Sequence, residues 1–174
     1  YQLADRERMK KMEEKEIERF DSTINIGKAN IIIVDDEVRT CEQIESMLKG
    51  YSYINIIGIA NTDEEEIKLI EELKPDVVVT DLMRNHEFTG LDIIKEYAEK
   101  EISPKFVVVS FSPNYSLCYR YKNITNCIHK FPEINGSELA YKILCAKRII
   151  WKEEQDRLIL KEERQHFLER VTKI

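Results

Sequence analysis

IIIVDDE (31–37) decides how this chain is read: four β-branched apolar residues run without a break into three carboxylates. Ile31 to Val34 favour a strand, because β-branched side chains pack well on a pleated, buried surface. That strand delivers Asp35, Asp36 and Glu37 together to its end, where like charges repel. The same texture returns further on: PDVVVTDLM (75–83) carries Asp81 past its apolar run, FVVVS (106–110) ends in Ser110, and HKFP (129–132) holds Lys130.

From Lys28 onward, five short apolar runs alternate with helical patterns. Strands are expected at 30–34, 53–59, 76–80, 105–109 and 126–129, and helices at 38–49, 63–73, 90–101, 113–122 and from 137 onward. In the first helix Val38, Cys41, Ile44 and Leu48 recur at 3-4 spacing, and the second opens on a capping-box pattern, Thr62 to Glu65. The first, third and fourth strands are apolar on both faces, so helices must cover both sides of the sheet, as in parallel βαβ units. The expected fold is α/β, a doubly wound five-stranded parallel sheet with helical extensions at both ends. Ligands of such sheets bind beyond the carboxyl ends of the strands, where the strand order reverses.

Asp35, Asp36, Asp81, Ser110 and Lys130 therefore belong to one edge. Two carboxylates ~4 Å apart repel by roughly 4 kcal/mol at an effective dielectric of about 20, so this edge requires a cation. A hard divalent ion that keeps several waters, Mg²⁺ above all, suits an all-oxygen site with few protein ligands. Taken singly, an aspartate at a strand end is more often a helix cap, and a lysine near a proline is more often a solvated surface residue. Three carboxylates at adjacent strand ends favour a functional site. Glu37 reads as the start of the next helix.

The four motifs IIIVDDE, PDVVVTDLM, FVVVS and HKFP, in this order and at these separations, resemble the receiver domain of bacterial two-component response regulators. The resemblance covers about 29–148 and implies a flavodoxin-like fold. It further implies that Asp81 is a phosphoacceptor attacking phosphorus in line. Asp35 and Asp36, with Asp81 and the Met83 backbone carbonyl, would hold Mg²⁺, and Ser110 and Lys130 would bind the phosphoryl oxygens. A sensor histidine kinase or phosphotransfer protein is the implied phosphodonor. Such chemistry is mostly positioning and charge neutralisation.

Several positions depart from the family pattern. The loop LMRNHEFTG (82–90) lacks the usual proline and reaches Gly90 one residue late. Phe111 follows Ser110 where a small residue is usual, and Cys127 stands where many receivers carry the aromatic residue of their switch. Lys130 is followed by Phe131 and only then by Pro132, so a cis X-Pro bond is expected one residue late or not at all. An alternative reading follows, a degenerate receiver that serves as a constitutive dimerisation or docking scaffold. An Asp-nucleophile phosphatase would need a second acid two residues after Asp81, and Met83 stands there.

The ends differ from the centre. Residues 1–27 are mostly charged and read as a solvated helix and linker. The receiver unit is expected over 28–148. Residues 137–174 contain no Gly or Pro, so the last helix is expected to continue through 149–174. On one 4-3 register, Leu139, Ile143, Ala146, Ile150, Glu153, Arg157, Leu160, Arg164, Phe167, Val171 and Ile174 place eight apolar residues in eleven positions. That is a coiled-coil seam with a polar middle, and a homodimer through it is expected.

A net charge of −6 does not suit a general nucleic-acid surface, which needs clustered Lys and Arg. The four cysteines make no CxxC pair, and no apolar run approaches the roughly 18 residues of a membrane span, so a reduced, cytoplasmic protein is expected. The chain opens on Tyr1 and is expected to be part of a longer polypeptide with its output elsewhere. No enzymatic activity beyond phosphoryl acceptance is expected of it.

Overall fold

The computed structural model describes residues 26–112 and 114–173, together with 4, 6–8 and 10–12 near the start. Those early residues are helical and exposed. The remainder of the charged helix expected over 1–22 lies outside the described residues.

The elements run β1 (Ala29–Val34), α1 (Val38–Leu48), β2 (Ile54–Ala60), α2 (Asp63–Leu73), β3 (Val77–Thr80), α3 (Thr89–Ala98), β4 (Lys105–Ser110), α4 (Ser116–Arg120), β5 (Ile124–His129) and α5 (Gly136–Thr172). Every neighbouring pair of strands is parallel, in the order β2-β1-β3-β4-β5. Alternate residues of the apolar strands serve opposite faces, as a period of two requires. Ile31, Ile33, Val77, Val79, Val107 and Val109 pack with α1 and α5, whereas Ile32, Val34, Val78, Phe106 and Val108 pack with α2, α3 and α4. The sheet is covered on both sides, as its apolar runs demanded.

Local chemistry sets the helix ends. Thr62 Oγ1 accepts from the Glu65 amide at 3.2 Å, and the Glu65 carboxylate accepts from the Asn61 amide at 2.9 Å, so the capping exchange closes one residue further out than its simplest form. Asn135 caps α5 by accepting from the Glu138 amide at 3.1 Å. The fourth helix is shorter than the expected 113–122. Asn114 Oδ1 takes the Ser116 amide at 3.1 Å and starts the helix there, and Tyr121 is already extended. In α1 the inner face is Thr40, Cys41, Ile44 and Leu48, and Val38 is exposed. β5 begins at Ile124, two residues before the expected 126, across an irregularity opposite Phe106 and Val107. The Phe131–Pro132 bond is cis, one residue later than the family pattern.

The last helix is continuous for 37 residues. Leu139, Ala140, Ile143 and Ala146 are fully buried against the sheet. Glu153, placed on the seam by its register, instead pairs with Lys105 of β4 at 2.9 Å. Beyond it Leu158, Ile159, Leu160, Phe167, Leu168 and Val171 are all exposed. Among the described residues no helix is long and apolar enough to cross a membrane.

Candidate functional site

The strand order reverses between β1 and β3, and their carboxyl ends carry Asp35 and Asp81. Both residues prolong the sheet, the Asp35 amide donating to the Ala60 carbonyl and the Asp81 amide to the Val34 carbonyl, each at 3.2 Å. Asp35 is 1% exposed and Asp81 8%. Lys130, also 8% exposed, comes from the end of β5, its amide donating to the Ser110 carbonyl at 2.8 Å. Its ammonium reaches Asp35 Oδ2 at 2.6 Å and Asp81 Oδ2 at 2.7 Å. The cation that the carboxylates demanded is thus supplied in part by the chain itself.

Two carboxylates share this one ammonium. Burial pushes the Asp35 carboxyl above the ordinary aspartate range, outweighing its bonds to Lys130 and to the Glu37 amide, the latter at 2.9 Å. Burial alone would lower Lys130, but its contacts with Asp35 and Asp81 win and hold the ammonium above the ordinary lysine range. Lys130 therefore stays charged throughout the physiological range, which leaves the three-residue group with a net negative charge when both acids are ionised.

The other expected residues line this edge. Asp36 is exposed, and its Oδ2 accepts from the Asn85 amide at 3.2 Å. The Met83 amide donates to Asp81 Oδ1 at 3.3 Å, which sets the loop close over the carboxylate. Ser110 is half-buried at the end of β4, and its hydroxyl accepts from the Ser112 amide at 3.3 Å. Phe111, 64% exposed, does not pack into the interior; its ring lies 5.1 Å from the Lys130 ammonium. Glu37 precedes α1 and its carboxylate accepts from the Thr40 hydroxyl at 3.2 Å, a local role as expected. Among the described residues no group of three or more His, Cys, Asp or Glu is gathered closely enough to hold a metal ion. The Asp35, Asp36 and Asp81 carboxylates are hard oxygen donors of the kind that Mg²⁺ accepts, and Lys130 stands between two of them.

Gly90 shows why the loop after Asp81 needs a glycine. A Cβ there would lie 2.6 Å from the Asp81 carbonyl oxygen and 2.9 Å from that of Leu82. The extra loop residue is absorbed in a tight hairpin in which Arg84 and Glu87 exchange both backbone bonds, at 2.7 and 2.9 Å. Asn85 and His86 at its tip take left-handed conformations, with φ of 49° and 63°.

Arg84 itself escaped the sequence reading. It is 4% exposed, pairs with Asp63 and the fully buried Glu66 of α2, and donates from Nη2 to Thr80 Oγ1 at 2.7 Å and to the Asp81 carbonyl at 3.2 Å. The available signal was Glu66, which stands four residues before Ile70 on the inward face of α2 and needs a buried cation.

This sheet order, with helices on both faces and an acidic switch point, is flavodoxin-like. Residues 31–133, more than half of the chain, match the response regulator receiver domain, and the chain belongs to that family. It is 28% identical over 85 residues to the transcriptional regulatory protein YdfI of Bacillus subtilis (strain 168), covering 49% of this chain and 39% of the relative. It is 37% identical over 84 residues to protein-glutamate methylesterase/protein-glutamine glutaminase 3 of Geobacter sulfurreducens, covering 47% of this chain and 21% of that protein. The matched segment thus spans well under half the length of these relatives. Among solved structures, the response regulator domain of Thermotoga maritima CheB shares the fold with a TM-score of 0.59 and 20% identity, over 70% of this chain and 97% of that one. The receiver domain of the putative response regulator NarL from Mycobacterium tuberculosis does so with a TM-score of 0.57 and 19% identity, over 70% and 98%.

Proposed function

We propose that this chain is the phosphoacceptor module of a two-component phosphorelay, phosphorylated on Asp81. The observation that carries this reading is the buried Lys130 ammonium, 2.6 and 2.7 Å from Asp35 and Asp81 at the switch point of the sheet. The Asp81 carboxylate attacks the phosphorus of a phosphohistidine or a small acyl phosphate. The bond from phosphorus to the donor breaks, the donor departs with its electron pair, and an aspartyl phosphate forms. Lys130 meets the charge on the incoming group, and Ser110, at the end of the adjacent strand, can donate its hydroxyl to a phosphoryl oxygen. Asp35 and Asp36, with Asp81 and the Met83 carbonyl, would hold Mg²⁺, which when bound neutralises further phosphoryl charge. Attack by water on phosphorus then returns the free carboxylate and inorganic phosphate.

The partner is a sensor histidine kinase or phosphotransfer protein, and the reaction belongs to the cytoplasm. Residues 28–148 form the receiver unit, and 149–174 carry its state outward. We read the stripe of Leu160, Phe167 and Val171 as the seam of a homodimer, because it continues the face that α5 buries within the domain. The chain's output then lies in other segments of its polypeptide.

The test is incubation with acetyl phosphate and Mg²⁺, read by intact mass, for the wild type and for Asp81→Asn. One phosphoryl group should appear on the wild type and none on the variant. Equal masses with and without donor would instead favour a receiver that has become a docking scaffold.

A further inference from the structure

The loop after Asp81 contains a second buried charge system that the phosphorelay reading does not use. Arg84 lies at the centre of it. Its Nη1 reaches Asp63 and Glu66 of α2, and its Nη2 reaches Thr80 Oγ1 and the Asp81 carbonyl. The Thr80 hydroxyl also donates to that carbonyl, at 2.9 Å. On the remaining side Gly90 approaches so closely that no Cβ fits. The Asp81 main chain is thus clamped from three directions, two of them through Arg84.

As a stability device this arrangement is poor. Arg84 Nε and Glu66 Oε1 are buried without a hydrogen-bond partner. Removing two charges from water costs several kcal/mol per ion, and a well-packed apolar pair is often as stable as a buried ion pair or more so. What the ion pair provides and an apolar pair does not is a directed donor at the Asp81 carbonyl. The backbone of Arg84 adds a second tie, since its hairpin presents the Asn85 amide to Asp36 Oδ2 at 3.2 Å.

We propose that Arg84 is a positioning residue for phosphoryl transfer, anchored by Glu66 and Asp63, that fixes the main chain carrying the Asp81 carboxylate and the Met83 carbonyl. The assignment rests on the reading of Asp81 as the acceptor. Arg84 touches neither phosphorus nor donor; it acts by holding the acceptor in line, where small displacements are expensive in rate.

The experiment separates this role from a merely structural one. Arg84→Met alone strands Glu66 as an uncompensated buried acid and should lower the unfolding midpoint. The double variant Arg84→Met with Glu66→Met removes the ion pair as a unit and should regain the wild-type midpoint. At saturating Mg²⁺ and acetyl phosphate, its rate of Asp81-dependent mass gain should nevertheless be about tenfold or more below wild type. Thr80→Val, which removes the hydroxyl between guanidinium and carbonyl, should slow transfer in the same direction by a smaller factor. It decides the matter if the double variant fails to fold. A folded double variant, or failing that Thr80→Val, that phosphorylates at the wild-type rate would overturn the role of Arg84 and leave the acceptor reading intact. No Asp81-dependent gain on the wild type itself would overturn both.

Discussion

The carboxyl end of the sheet hides charge, while the far half of α5 displays hydrophobic side chains. Asp35, Asp81, Lys130, Glu66 and Arg84 are all at most 8% exposed, whereas Leu158, Ile159, Leu160, Phe167, Leu168 and Val171 are half exposed or more. Each region runs against the ordinary preference, since an unpaired buried ion costs several kcal/mol and a bare Leu or Phe forgoes roughly 1.5–3 kcal/mol of burial. The difference lies in where the compensation sits. At the pocket the countercharges come from the same chain, brought together by the parallel sheet. Along α5 one helix passes from full burial at Leu139 and Ile143 to side chains half exposed or more, and nothing among the described residues covers its second half.

Breaking the pocket should have the largest effect. Lys130→Met leaves Asp35 and Asp81 facing each other and should cost about 3–5 kcal/mol at neutral pH in urea unfolding. The loss should shrink in acid, where Asp35, its carboxyl already raised by burial, takes up a proton. A neutral-pH loss under about 1 kcal/mol would mean that the ammonium is not what holds the two acids in place.

The two halves of α5 should then answer differently to the same kind of truncation. Ile143→Ala, at a site with no exposure, should cost about 2–5 kcal/mol. Phe167→Ala should leave domain stability within about 0.5 kcal/mol while weakening self-association in sedimentation. Equal unfolding losses would place Phe167 in a packed environment within one chain.

A smaller effect concerns pH. Burial holds Glu66 above the ordinary glutamate value of 4.5, against the pull of Arg84, with Asp63 adding repulsion. Because the folded state keeps the Glu66 proton longer than the unfolded state does, this contribution is fully present below pH 4.5 and is lost as pH rises through the folded value. Glu66→Gln should lack that decline, and stability curves that fall in parallel would show that Glu66 does not contribute it. The smallest effect is at the base of the tail, where Glu153→Ala breaks a pair whose acid is 47% exposed and should cost about 0–1 kcal/mol.

The same contrast marks what the sequence could disclose. Strands made of Ile and Val are legible because burial on both faces leaves no polar position to confuse the period. β5 was only half legible, since its Thr125 and Asn126 interrupt the apolar pattern where the register slips. The start of α4 depended on a side-chain turn at Asn114, and no periodicity records that. Asp35, Asp81 and Lys130 are 49 and 95 positions apart in the Lys130 contacts, and strand ends together with motif order brought them to one edge. Arg84 was harder to see for a physical reason: the inward face of α2 puts Glu66 where a buried cation is needed, but the hairpin with two left-handed residues that brings Arg84 to it leaves no mark in a loop of mixed composition.

Whether Asp81 takes a phosphoryl group can be measured directly. Trapping the acyl phosphate by borohydride reduction, after treatment with acetyl phosphate and Mg²⁺, converts a phosphorylated aspartate to homoserine, and peptide mass spectrometry reads its position. Homoserine is expected at residue 81, dependent on donor and on Mg²⁺. Homoserine at Asp35 or Asp36 instead, or at no position, would contradict it.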